Sequence, residues 1–141
     1  MNFYEFLAFE LIEKIKNKEI SIKEVIQQVY ERIERTDDKL HSFVHLSKEK
    51  ALNKAKGLDN KLKRGKPIGK LYGLPIGIKD LICIKDSPTT CGSNILQGYK
   101  PPYNATVIEN LIEKEDAICV GRTNMDEFAM GSSTENSSYG P

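Results

Sequence analysis

At 141 residues, with 39% hydrophobic and 29% charged residues, the chain has the length of one domain and the composition of a globular protein. Its formal net charge of +1, from 21 bases and 20 acids, gives no electrostatic footprint for nucleic acid. No apolar run is long enough for a transmembrane helix, and the N-terminal stretch carries Glu5 and Glu10 in place of the basic segment of a signal peptide. No membrane association and a cytoplasmic location are therefore expected. Cys83, Cys91 and Cys119 are odd in number and show no Cys-x-x-Cys spacing, so buried thiols in a reducing compartment are expected. His41 and His45 read as surface residues, and no ligand cluster suggests a metal site.

Residues 2 to about 17 are predicted helical, with Phe3, Leu7, Leu11 and Ile15 in an i, i+4 stripe and Asn17 as the stop. Ser21 opens a second helix through the capping box Ser21-Ile22-Lys23-Glu24, with Ile22, Val25, Ile26, Val29, Tyr30 and Ile33 on its apolar face. It is expected to end near Thr36-Asp37-Asp38. Ser42 to Leu46 is a short strand-like run. Ser47 can cap a third helix, 48 to about 63, with Ala51, Ala55, Leu58 and Leu62 inward. The other side of that helix is basic (Lys48, Lys50, Lys54, Lys56, Lys61, Lys63, Arg64 and Lys66), which reads either as a solvated face or as a surface for RNA or an acidic partner.

Gly65 to Gly69 is a linker into the most apolar stretch of the sequence, Gly73 to Ile84. Read as one strand, it places Ile76, Ile78, Asp80, Ile82 and Ile84 on one face and Gly77, Lys79, Leu81 and Cys83 on the other. Both faces are mostly apolar, the pattern of a strand buried on both sides. A lysine in that setting is neutral, paired or functional, because burying a lone ammonium is costly. The residues alone leave two readings open. Lys79 is structural, snorkelling or paired to a carboxylate, or it is a functional lysine.

Residues 85 to 104 form a long Thr-, Ser-, Gly- and Pro-rich loop, of a kind that is usually functional or packed over something. Asn104 or Thr106 is expected to cap a helix with Val107, Ile108, Leu111 and Ile112 inward. Ala117 to Gly121 is a second buried strand, and Thr123 is expected to cap a short helix through Met125 to Ala129. The stretch from Gly131 to Pro141 reads either as a flexible tail or as a hydroxyl-lined loop beside a polar substrate. Strand, connection, helix and strand in that order predict an α/β sheet. Residues 1–66 are predicted to form an N-terminal helical region and 67–141 the start of an α/β core.

Four blocks carry a resemblance: Gly77-Ile78-Lys79-Asp80, Thr89-Thr90-Cys91-Gly92-Ser93, Pro101 to Val107, and the run Gly121 to Ser137. Together they resemble the amidase signature family and, within it, the glutamine-hydrolysing subunits of tRNA-dependent amidotransferases. The resemblance implies a mixed sheet surrounded by helices, of which this sequence holds the N-terminal portion. It also implies a Ser, cis-Ser, Lys triad. Lys79 matches the lysine of that triad, a general base relayed through a bridging serine to the nucleophile. Met130, Gly131 and Ser132 match the loop lining the substrate pocket. Asp80 is implied to be structural. The implied substrate is glutamine, and the implied partners are the other subunits of a heterotrimer-type complex. ATP and magnesium are used by a partner subunit, and tRNA is bound mainly there; no cofactor is implied for this chain.

Two departures stand out. The family's nucleophile and bridging serine lie in a Gly- and Ser-rich block downstream of Pro141, so Ser132, Ser133, Ser137 and Ser138 are not candidates for nucleophile. The chain is expected to be a fragment or truncation of a longer enzyme, inactive alone. The alternatives are a stand-alone amidase of small amides and a non-catalytic partner-binding module. Glu115-Asp116 also stands where the family ends a helix with glycine, and the aspartate is expected to tolerate the left-handed conformation.

Overall fold

The computed structural model describes residues 3–141, so Asn2, placed in the first predicted helix, lies outside the described residues. A 3-10 turn at Phe3–Glu5 precedes helix α1 (Ala8–Lys16). The single helix predicted here is thus broken, and Leu7 stands 60% exposed at the break, its N–H held by the Glu10 carboxylate. Asn17 closes α1 as expected.

Helix α2 (Ile22–Leu40) begins with the predicted capping box: Ser21 Oγ accepts the Glu24 N–H and Glu24 accepts the Ser21 N–H. A second cap comes from elsewhere. Asp59, on helix α3 (Lys48–Lys63), accepts the N–H groups of Ile22 at 2.9 Å and Lys23 at 3.1 Å. A carboxylate there also suits the positive end of the helix dipole. Past Leu40, His41 takes a left-handed turn (φ 48°), and Asp37 accepts the N–H groups of Ser42 and Phe43, leading into strand β1 (Phe43–Leu46).

Strand β2 (Pro75–Lys79) and strand β3 (Ile118–Thr123) complete a three-stranded mixed sheet in the order β1-β3-β2. β3 runs antiparallel to β1 and parallel to β2. Parallel neighbours require a long crossover, and it carries helix α4 (Thr106–Ile108), which continues as a π-helical turn over Glu109–Lys114. This is the mixed α/β arrangement predicted. The sheet also joins the two predicted regions, since β1 precedes residue 66 and pairs with β3 after it.

The core has two parts. Ile22, Val25, Ile26 and Tyr30 of α2 and Ala51, Ala55 and Leu58 of α3 pack with Ile118 and Val120. The Tyr30 hydroxyl donates to the Val120 carbonyl at 2.6 Å. Tyr72, fully buried, donates to the Leu58 carbonyl, and burial pushes its phenol up to about 12. On the other side, Ile78, Ile108 and Ile112 pack with Ile76, Ile82, Ile84, Leu111 and Cys119.

Several predicted placements shift. Val107 is 45% exposed, because only Ile108, Leu111 and Ile112 face the sheet. Ala105, not Asn104 or Thr106, stands at the helix start; the Asn104 side chain accepts the Lys85 N–H instead. Thr123 is the last residue of β3, and only a 3-10 turn at Glu127–Ala129 follows. The three cysteines are half-buried rather than buried, and all are free thiols.

Asp116 fulfils the expectation placed on it. It adopts φ 60°, and its carboxylate accepts from Gly69 N at 2.9 Å and Lys61 Nζ at 2.6 Å, docking the 67–73 connection. Replacing it with alanine or glycine removes both bonds, but only alanine keeps the left-handed cost. Asp116→Ala is therefore expected to be less stable than Asp116→Gly by roughly 1 kcal/mol in urea denaturation. Equal midpoints would remove the conformational explanation.

Candidate active site

β2 and β3 end side by side, with Lys79 in register with Thr123. In open α/β sheets ligands bind outside the carboxyl ends of the strands. Loops 80–93 and 124–138 both start at this end.

The sequence suggested a strand running on to Ile84, with Lys79 in an apolar setting. The structure corrects both points. The strand stops at Lys79, and Gly77 and Lys79 are exposed on its second face, with Leu81 38% exposed beyond it. Half-buried Pro75 shares that face with Gly77 and Lys79. Asp80 points the other way and is 1% exposed.

Asp80 is paired to Arg122 of β3, which is itself fully buried. Asp80 Oδ1 faces Arg122 Nε at 3.4 Å, and Oδ2 accepts both the backbone N–H (3.0 Å) and the hydroxyl of Thr90. Arg122 Nη2 donates to the Ile82 carbonyl at 2.5 Å and to Thr89 Oγ1 at 3.3 Å. Arg122 escaped the reading of the sequence, although the argument applied to Lys79 applied equally to a guanidinium on the end of the apolar run Ala117 to Gly121.

The two loops then lock together. Cys91, at φ 54°, donates its N–H to the Asp80 carbonyl at 3.1 Å, and its own carbonyl accepts the Phe128 N–H at 2.8 Å. Ser138 N–H reaches the Gly92 carbonyl, and Ser93 Oγ donates to Glu127 at 2.5 Å. Gly92 sits at φ +65°, where a Cβ would come within 2.5 Å of the Met125 carbonyl oxygen. Burial pushes the Cys91 thiol up, with Asp80 adding to the effect, and burial does the same at Cys119. Neither is therefore a ready thiolate nucleophile.

Asp126 organises the second loop. Its carboxylate accepts the N–H groups of Ser133 (3.1 Å), Thr134 (2.8 Å) and Asn136 (2.9 Å), and the Asn136 amide approaches at 3.4 Å. Those bonds, led by the Asn136 N–H, hold its pKa below the usual aspartate value. Met130 (75% exposed), Gly131 and Ser132 stand on the open surface of this loop. The Gly131 to Pro141 stretch is irregular but pinned: Ser137 Oγ donates to Asn124, and His41 Nδ1 lies 2.8 Å from the Pro141 carbonyl oxygen.

The fold thus brings Lys79 and the Met130–Ser132 segment to one end of the sheet, linked through Asp80, Cys91 and Phe128. Among the described residues, no direct hydrogen bond or ion pair runs from Lys79 to Met130, Gly131 or Ser132. Among the described residues, no group of three His, Cys, Asp or Glu side chains is placed to hold a metal ion, and no helix is long and apolar enough to cross a membrane.

Comparison with known proteins fits this architecture. The Amidase family profile matches residues 24–141. The chain is 47% identical over 139 residues to an A-type subunit of the glutamyl-tRNA(Gln) amidotransferase of Clostridium acetobutylicum, covering 99% of this chain and 28% of that relative. It is likewise 47% identical to the A-type subunit of the Natranaerobius thermophilus enzyme, with the same coverage. Among solved structures, it matches a protein of a vestigial complex bearing on the origins of an s-triazine catabolic enzyme, with a TM-score of 0.90 and 32% identity over 96% of this chain and 30% of that one. A bacterial aryl acylamidase of the amidase signature enzymes matches with a TM-score of 0.87 and 27% identity, over 96% of this chain and 28% of that one. The chain belongs to the amidase signature family. It spans 28% of the length of these curated relatives.

The lowered pKa of Asp126 sets a pH expectation. Its contribution is fully present above the ordinary aspartate pKa of about 3.9 and is lost as pH falls through the lower folded value. The Ser133, Thr134 and Asn136 amide shifts, followed by NMR, are therefore expected to move only in a transition below the ordinary value. A transition at or above it would contradict the hydrogen bonding described.

Proposed function

We propose that this chain forms part of an amidase-type hydrolase, the glutamine-hydrolysing subunit of a tRNA-dependent amidotransferase. The observation that carries the reading is the 47% identity, across 99% of the chain, to the A-type subunit of a glutamyl-tRNA(Gln) amidotransferase. Lys79 acts as general base at the carboxyl end of β2. It takes a proton, through a bridging serine, from a nucleophilic serine supplied by further sequence. The serine attacks the side-chain amide carbon of glutamine, and backbone N–H groups stabilise the oxyanion. The C–N bond breaks as the proton passes to the leaving nitrogen, ammonia departs, and water releases glutamate from the acyl-enzyme.

A neutral lysine at physiological pH requires desolvation. The described residues leave Lys79 exposed, so in this reading the remaining protein covers it. Met130, Gly131 and Ser132 line the substrate side. The chain works in the cytoplasm with the other amidotransferase subunits. A partner subunit uses ATP and magnesium to activate glutamate on tRNA(Gln), and the released ammonia converts it to glutamine. The likeness to an aryl acylamidase favours a second reading, a stand-alone amidase of small amides. Glutamine hydrolysis that rises on adding partner subunits selects the first reading.

In the full-length protein, Lys79→Ala is expected to lower the rate of ammonia release by roughly 10²–10⁴-fold while the variant still assembles with its partners. Near wild-type turnover would remove Lys79 from the chemistry. The 141-residue chain alone is expected to release no ammonia from glutamine in a coupled assay. Measurable turnover would mean that its own serines suffice.

A further inference from the structure

We infer that Asp126 is the positioning residue for the exposed Met130–Ser132 backbone, fixing where that segment meets a substrate amide. What the segment touches rests on the amidase reading; how it is held does not.

Asp126 is only 4% exposed, although its loop lies at the surface. A carboxylate offers about four acceptor positions and no donor. Here they face three backbone N–H groups and one side-chain amide, all from the segment that follows Ser132. On the near side, the Ala129 N–H returns to the Asp126 carbonyl at 2.9 Å. The segment is thus tied to one residue at both ends. It also wraps the carboxylate closely, since a Cβ on Gly131 would lie 2.5 Å from Asp126 Cγ.

The backbone on either side is strained. Phe128 (φ 52°), Ala129 (φ 61°) and Thr134 (φ 66°) are all left-handed without being glycine. Such conformations persist only where the surroundings over-determine them, and they cluster at ligand sites. Asp126 supplies that constraint, helped by the Phe128–Cys91 and Ser93–Glu127 contacts to the neighbouring loop. A fixed, solvent-facing backbone segment between two anchors is what orienting a polar amide group requires.

Asp126→Asn in the full-length protein tests this. The amide keeps the size but turns one acceptor into a donor facing N–H groups. Hydrogen exchange of the Ser133, Thr134 and Asn136 amides is expected to quicken at least tenfold, with Ile78 and Val120 in the sheet unchanged. KM for the amide substrate is expected to rise about tenfold and kcat to change less than threefold. Gly131→Ala, which pushes the loop off the carboxylate, is expected to reproduce the KM effect and serves if Asp126→Asn fails to fold. Unchanged loop exchange with an intact sheet overturns the inference, as does faster exchange with unchanged KM. A wild-type protein that hydrolyses no amide would overturn the amidase reading; the exchange data would then decide alone whether Asp126 holds the segment.

Discussion

The buried ion pair between Asp80 and Arg122 is the constraint on which the candidate site depends. It lies at the ends of two parallel strands, with both side chains out of water. Removing one partner of such a pair typically costs about 3–5 kcal/mol, because the other charge is left uncompensated. Replacing both with apolar residues is often neutral or stabilising. The pair is therefore poorly explained by stability alone. What it contributes is placement: Thr89 and Thr90 are drawn onto it, and through Cys91 the 124–138 loop is drawn onto the same strand end.

Much of the fold was legible because helix and strand periods are local. The capping box at Ser21 and the stripe from Ile22 to Ile33 placed α2 to within a few residues, and Ser47 stands at the start of α3 although its side chain makes no cap bond there. The quartet Ile76, Ile78, Ile82 and Ile84 shares one apolar cluster, although the strand ends at Lys79. Asp116 kept its turn where a glycine was the usual residue, because its carboxylate also found two partners.

What was not legible depends on partners far away in sequence. Asp59 capping α2, Arg122 pairing with Asp80 and Asp126 gathering the 133–136 amides are all hydrogen bonds between segments. No period reports them. The length of β2 was overestimated for a related reason: alternation continues past Lys79, but the ladder to β3 ends there, since the chain turns, the Ile82 N–H returning to the Lys79 carbonyl at 3.0 Å and the Asp80 carbonyl accepting from Cys91. Lys79 was singled out by its motif, and its exposure followed from the pleat, which puts it opposite the buried Ile78 and Asp80.

The crossover between β2 and β3 has a kinetic consequence. Asp80 and Arg122 are 42 positions apart, so the chain must close a long loop before the pair can form. Closing such loops is entropically uphill, and parallel pairings of this kind form slowly. Desolvating the two charges before the strands are aligned would add a further penalty with no Coulombic return. The pair therefore belongs to the late, downhill side of folding. Weakening it is therefore expected to speed unfolding more than it slows folding, while the α2–α3 packing, made from nearer sequence, is expected to govern how fast folding begins.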